Sequence, residues 1–278
     1  MKAKKTTETY KHLCNLLDNH KKVYFSRFGD GDFWIMNGHK ELLHDCTPEL
    51  QSEMLEAFSI EDEQFLKGVM AVYELEEGMS NGVFAPPKEK DHKMIKDILQ
   101  NKFNLPDDSV FENHVMFGYL SSFRQDLMVD FLNKYIRPKK KMVINYFTPE
   151  DHERGSWDHR SFDLSKTYRE QELERIEAFL GPVDYFIEVP PRNAYSTIDE
   201  WWPKVLENID DVELCLPFAG MAGRVVQKRL WNLNKEIHSI DLGSIIDAVT
   251  QRSTRTWMDR VGITVDELLI RKKQWWEG

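Results

Sequence analysis

Residues 23–36 read VYFSRFGDGDFWIM. VYFSRF is rich in β-branched and aromatic side chains, as a strand requires, and the glycines that follow interrupt it. Gly29 and Gly31 alternate with Asp30 and Asp32, and helical spacing resumes near Phe33. The stretch predicts a strand, a flexible turn and a helix, with two carboxylates free to converge at the strand's carboxyl end. Hard oxygen donors in such a place suit Mn²⁺ or Mg²⁺, which complete their shells with water and phosphate oxygens. The same spacing also fits Asp32 as a helix cap and Asp30 as a stabiliser of the glycine turn.

Outward from this segment the chain alternates. Residues 8–19 carry Tyr10, Leu13, Leu16 and Leu17 at helical spacing, and Thr47-Pro48 opens a helix through Phe58 with Thr as cap and Pro at the first position. FLKGVMAVYEL (65–75) predicts a strand, KDHKMIKDILQNKF (90–103) a helix, and SVFENHVMFGYL (109–120) a mixture of strand and loop. RQDLMVDFLNKYI (124–136) predicts an amphipathic helix and KKMVINYF (140–147) a strand. Further on, REQELERIEAFLG, STIDEWWPKVLENI and GRVVQKRLWNL predict helices between the strands VDYFIEVPP, VELCLPF and EIHSIDLG. Strands alternating with helices imply right-handed crossovers and an α/β fold, a Rossmann-like, mostly parallel sheet flanked by helices. The polar stretch Thr148–Lys166, with the isolated Trp157, predicts a surface loop that could close over a site as a lid.

The 278 residues are 41% hydrophobic, enough to bury a large core, and a single domain over 1–278 is expected. No apolar run reaches the ~20 residues of a bilayer span, and the amino terminus lacks a secretory apolar segment, so a cytoplasmic protein is expected. Three cysteines, Cys14, Cys46 and Cys215, form no CxxC pair and suggest neither a disulfide framework nor a zinc site. The formal charge of -10 argues against a nonspecific grip on nucleic acid. The basic run RPKKK (137–141) reads as a solvated loop.

In parallel sheets ligands gather at the carboxyl ends of strands, and the candidate side chains fall there. Arg27 leads into the aspartate turn, Arg192 and Asn193 follow FIEVPP, and FAGMAGR (218–224) follows ELCLP. FAGMAGR opens a helix, so its free N–H groups and the dipole favour an anion such as a diphosphate, although the full P-loop and dinucleotide patterns are missing. Small residues for strand–helix packing would explain the loop equally well. Arg27, Arg124 and Arg192 could fork onto phosphate oxygens. Asp241 lies about twenty residues past the loop, where a dinucleotide-binding protein places an acid on a ribose, which keeps a nicotinamide dehydrogenase in play.

Taken together, these segments resemble the GT-D glycosyltransferases. SRFGDGDF looks like that family's S/A-R-F-G-D-G-E signature, PPRNAYSTIDE resembles its P-x-x-N-A-F/Y segment, and FAGMAGRVVQKRL with SIDLGSIID is similar to its Gly/Ala loop and D-I-G segment. The resemblance implies a metal-dependent transfer from a nucleotide diphosphate sugar, UDP-linked, to a hydroxyl acceptor. It gives Asp30 and Asp32 to Mn²⁺ or Mg²⁺, with Asp32 one methylene shorter than the family's Glu. Arg27, Gly220, Gly223 and Arg224 are expected at the diphosphate; Arg124, Arg192, Asn193 and Tyr195 are expected to bind substrate. Transfer with inversion needs a carboxylate to take the acceptor proton. Asp247 is the first candidate and Asp241 the reserve, while Ser244 stands where the family often has His. A saccharide or glycoconjugate is the expected acceptor. A hydroxymethylated DNA base is the alternative, and a noncatalytic nucleotide-binding protein is a rival from another class.

Overall fold

The computed structural model describes residues 1–38, 46–70, 89–149, 165–252 and 268–269. Most elements start and stop where side-chain chemistry dictates. Helix α1 (Thr6–Asn19) leads into strand β2 (Tyr24–Phe28), and helix α3 (Pro48–Phe58) begins as expected, with Thr47 Oγ1 accepting from the Leu50 N–H at 3.2 Å. Helix α7 (Tyr168–Leu180) has Thr167 and Glu170 as a reciprocal capping box and stops at Gly181, whose φ of 82° is costly for any other residue.

Three segments depart from expectation. Helix α2 spans Asp30–Met36, so the aspartates occupy its first turn and not a preceding loop. Residues two apart on a helix point ~200° from one another. Accordingly Asp30 is exposed and Asp32 is buried. Within VMFGYLSSF, helix α5 (Met116–Phe123) forms where strand and loop were expected. Met116, Phe117, Gly118, Tyr119, Leu120 and Ser121 are all buried, and a helix enclosed on most sides has no polar stripe to reveal its period. The next expected helix divides into α6 (Gln125–Phe131) and a π-helical turn, Leu132–Ile136.

Strands β3 (Phe65–Val69), β5 (Lys141–Asn145), β6 (Tyr185–Glu188), β7 (Leu214–Pro217) and β8 (His238–Ile240) join β2 in a six-stranded sheet of order β3-β2-β8-β7-β5-β6. Every pairing in it is parallel. The short strands β1 (Lys2–Ala3) and β4 (Val110–Phe111) pair separately, also in parallel.

The sheet is buried on both faces. One face packs under α3, α4 (Glu89–Asn101), α8 (Ile198–Asn208) and α9 (Ala222–Asn232), through residues such as Met54, Ile98, Val205 and Val226. The other packs under α1, α5, α6, α7 and α10 (Ile245–Val249), through Leu13, Phe117, Phe131, Ile176 and Val249. Alternation along β2 serves both: Tyr24 and Phe28 enter the first core and Phe25 the second. The chain leaves β5 outward to β6 but leaves β7 inward to β8. The carboxyl ends around β7 are therefore where a crevice opens in such a sheet. No helix among the described residues is long and apolar enough to cross a membrane.

Candidate active site

Four charged side chains meet at the carboxyl ends of the three adjacent strands β2, β8 and β7. Arg27 comes from β2, Asp32 from the first turn of α2, Asp241 from the residue after β8, and Arg224 from the first turn of α9. Arg224 Nη1 stands 2.7 Å from Asp241 Oδ2, Arg27 Nε 3.5 Å from the same oxygen, and Arg224 Nη2 3.6 Å from Asp32 Oδ2. Only 3–13% of any of these side chains reaches solvent, which makes the quartet expensive to assemble.

Backbone groups offset part of that cost. The Gly29 N–H donates to Asp32 Oδ2 at 2.7 Å, and the Gly243 N–H donates to Asp241 Oδ1 at 2.7 Å. Arg27 Nη1 donates to the His114 carbonyl and Arg224 Nη1 to the Gly220 carbonyl, each at 3.2 Å. A Cβ on Gly243 would lie 2.0 Å from Arg27 Nη2, so the guanidinium rests on a glycine that nothing larger can replace without moving it. Burial pushes the Asp32 carboxyl up against the pull of Arg224 and the Gly29 N–H. It pushes Arg27 down, whereas the two carboxylates hold Arg224 above its ordinary value despite the same burial.

The quartet keeps unspent hydrogen-bonding capacity. Among the described residues Arg27 Nε, Arg224 Nε and Asp32 Oδ1 are buried without a hydrogen-bond partner. Asp241 Oδ2, although close to Arg224, is held by charge and not by an aligned N–H. Unpaired buried polar atoms cost about 1–3 kcal/mol each, and they concentrate where a ligand or ion is to be met. For a hard cation the donor set is an inner oxygen, Asp32 Oδ1, and the exposed carboxylate of Asp30, whose Oδ1 also accepts from the Gly31 N–H at 2.9 Å. These are oxygen donors of the right kind. Among the described residues no cluster of three or more His, Cys, Asp or Glu offers itself to a metal, so the remaining ligands would be water and phosphate oxygens.

The other expected residues are distributed less tightly. Gly220 is exposed with φ of 55° and open space where a Cβ would stand, so it shapes the turn into α9. Gly223 packs: its Cβ would lie 3.1 Å from the Pro217 carbonyl, and small size there lets α9 sit against β7. Asp241, the candidate for a ribose contact, is 3% exposed and has both Arg27 and Arg224 against its Oδ2. Asp247, in α10, keeps 17% of its side chain exposed and has Arg252 Nη2 at 3.4 Å. Arg192 and Asn193 are exposed beyond β6, Asn193 with φ of 59°. Tyr195 turns toward α3, its hydroxyl donating to Glu53 Oε1 at 3.4 Å. Arg124 forks onto Asp126 through bonds of 3.1 and 2.8 Å and is not among the groups that meet in the quartet.

A second buried network went unanticipated. Glu172 of α7 accepts from the Thr148 N–H at 3.1 Å and its hydroxyl at 2.5 Å, while Arg252 lies 3.7 Å from Glu172, donates to the Tyr146 carbonyl and covers the Tyr146 ring. Arg252 thus ties α10, and Asp247 with it, to the end of β5. No local pattern joins these residues; only the docking of α7 and α10 does. Trp157 and most of Thr148–Lys166 lie outside the described residues, as does the QWW at 274–276.

No family model matches the chain, and no curated protein does. Solved structures do. A selenomethionine-substituted structure of domain of unknown function 1792 (DUF1792) aligns over 89% of this chain and 79% of its own, with 16% identity and a TM-score of 0.55. A structure of the same domain, described as having a distinct glycosyltransferase fold, gives the same figures. A glycosyltransferase (DUF1792) from Streptococcus sanguinis aligns over 89% of this chain and 82% of its own, at 15% identity and a TM-score of 0.53. At such identities the likeness is one of fold: a mostly parallel α/β sheet flanked by helices, of the kind described for DUF1792 as a distinct glycosyltransferase fold.

Proposed function

We propose that the protein is a glycosyltransferase that moves a sugar from a nucleotide diphosphate sugar, UDP-linked, to a hydroxyl of a saccharide or glycoconjugate. The observation that carries this is the buried Arg27–Asp241–Arg224–Asp32 quartet, with its unsatisfied atoms, at the carboxyl ends of β2, β8 and β7 in a fold shared with DUF1792 structures. In this scheme Asp241 and Asp32 hold the two guanidiniums in place. Arg27, Arg224 and the N–H groups of the Gly220 turn then meet the diphosphate. Arg192 and Asn193, exposed beyond β6, border the nucleotide.

Asp30 and Asp32 Oδ1 would hold Mn²⁺ or Mg²⁺, which when bound neutralises charge on the leaving diphosphate as a Lewis acid. The acceptor oxygen bonds to the anomeric carbon, the bond from that carbon to the phosphate oxygen breaks, and the nucleoside diphosphate departs. Asp247 takes the acceptor proton, because Asp241 is shared between two guanidiniums and closed to solvent.

Calorimetry of UDP with Mn²⁺ tests the assignment. Asp30→Ala and Asp32→Ala should each abolish the metal-dependent part of binding while the fold persists. Unchanged Mn²⁺-dependent affinity in both variants would remove the metal site from the scheme.

A further inference from the structure

A cavity of about 410 Å³ opens between α2 and α4, with none of the quartet in its lining. Its size is that of a small-molecule site. Trp34, half-buried on α2, forms one wall, and α4 supplies the other through residues at helical spacing: Lys90 and Asp91, Met94, Asp97, then Asn101. Among the described residues the lining carries two lysines, Lys90 and Lys102, and two aspartates, Asp91 and Asp97. Its formal charge therefore cancels.

Three of these polar side chains have nothing to hold. Among the described residues Asp91, Asp97 and Asn101 make no side-chain hydrogen bond or ion pair, although Asp91 is only 7% exposed. Lys102 Nζ is spent on the Met36 carbonyl at 2.6 Å, and Lys90 Nζ stands 5.4 Å from the Trp34 ring centroid, over the indole. The cavity thus offers an aromatic wall, several acceptors, an amide that both donates and accepts, and, among the described residues, no surplus charge. A phosphate would find too few free cations, and a cationic ligand would meet two lysines. A pyranose matches: its hydroxyls both donate and accept, and its C–H face can lie on an indole once the flexible Lys90 swings aside.

Position connects the cavity to the transfer chemistry. Trp34 lies four residues after Asp30 on α2, on the same side of the helix and ~6 Å further along it. A sugar standing on Trp34 would be one helical turn from the carboxylate assigned above to the metal and diphosphate. We infer that the α2–α4 cavity is the acceptor subsite and that it binds a neutral saccharide against Trp34, with Asp91, Asp97 and Asn101 on its hydroxyls. This rests on the glycosyltransferase assignment for its role, but not for its binding chemistry.

The experiment is saturation-transfer NMR and calorimetry without donor, using methyl glycosides of glucose, galactose, mannose, N-acetylglucosamine, rhamnose and xylose. At least one should bind the native protein. Trp34→Ala and Asp97→Asn should each weaken that binding on the order of tenfold, while Trp34→Phe retains most of it. The same variants should bind UDP-glucose and UDP-N-acetylglucosamine as the native protein does, which also shows that they are folded. Failure of all six glycosides to bind, or equal glycoside affinity in native protein and variants, overturns the inference. Glycosides that bind through Trp34 in a protein that takes neither UDP-sugar would leave the subsite standing and sink the donor assignment. Donor binding without glycoside binding does the reverse.

Discussion

Helix α9 takes part in two four-membered charge clusters, one at its first turn and one a turn further along. The inner cluster joins Arg27, Arg224, Asp32 and Asp241; the outer joins Lys228 and Arg229 to Glu53 and Glu56 of α3. Each is built on two cations and two carboxylates, with the exposed Asp199 a further, looser partner of Arg229 at 3.9 Å. Exposure separates their carboxylates: Asp32 and Asp241 are 6% and 3% exposed, whereas Glu53 keeps 18% and Glu56 58%; Lys228, at 11%, is as enclosed as the inner guanidiniums.

The carboxyl groups respond in opposite directions. Burial raises Asp32 in spite of Arg224 nearby. Burial also pushes Glu53 up, yet its bonds with Arg229 and Lys228 prevail and hold it below the ordinary range. Glu56 is lowered chiefly by its bond to Lys228. At Glu53, where water still reaches the pair, the partners outweigh desolvation; at the enclosed Asp32, desolvation prevails. The outer cluster behaves as a clasp between α3 and α9. The inner one is a poor way to stabilise a protein and a good way to fix two guanidiniums for a ligand.

The largest effect should come from Asp241→Asn, which leaves Arg27 and Arg224 without their shared carboxylate. Breaking a buried arrangement of this kind costs about 3–5 kcal/mol, measured by denaturant unfolding. A loss below about 1 kcal/mol would erase the contrast between the clusters.

Arg27→Lys keeps the charge but loses the planar fork and the contact over Gly243. UDP affinity should fall about tenfold by calorimetry, with uridine affinity unchanged. Native protein that binds UDP no better than uridine would show that the inner cluster meets no diphosphate.

At the outer cluster Glu53→Gln should cost about 1 kcal/mol and Glu56→Gln only a few tenths, after allowance for screening. Losses of several kcal/mol from either would make the two clusters alike.

Acid sharpens the same comparison. Glu53 and Glu56 titrate below their ordinary 4.5 in the fold, so the stability they supply is complete above that pH and is lost as pH falls through their lowered values. Asp32 titrates above its ordinary 3.8, so the cost of its charge is present at neutral pH and disappears as pH falls through its raised value. Urea midpoints from pH 7 downward should show native protein losing its advantage over Glu53→Gln in acid and gaining on Asp32→Asn. Parallel curves for the two comparisons would contradict the opposed shifts.

Much was legible in the sequence because it is enforced locally. The Thr47-Pro48 start, the stop at Gly181 and the alternation of β5 through β8 with α7, α8 and α9 each depend on residues within one turn or strand of the boundary. The parallel α/β class follows, since only crossover helices can join such strands. So does the placing of Arg27, Asp32, Arg224 and Asp241 at strand ends, because their distance along the chain from each strand is short.

The tertiary structure alone decided the rest. GDGD contains helix breakers, yet α2 starts at Asp30, with the Gly29 N–H satisfied by Asp32, and this leaves one aspartate exposed and the other buried within the same first turn. Helix α5 was hidden because burial on most sides erases the periodicity by which a helix is recognised. Which charges meet was beyond any local pattern: Arg27 and Asp241 touch because β8 inserts beside β2, after the chain has visited β3, β5, β6 and β7. Strand order is set by how helices share the two faces of the sheet, a long-range packing choice, whereas element boundaries are set by hydrogen bonds that close within a few residues.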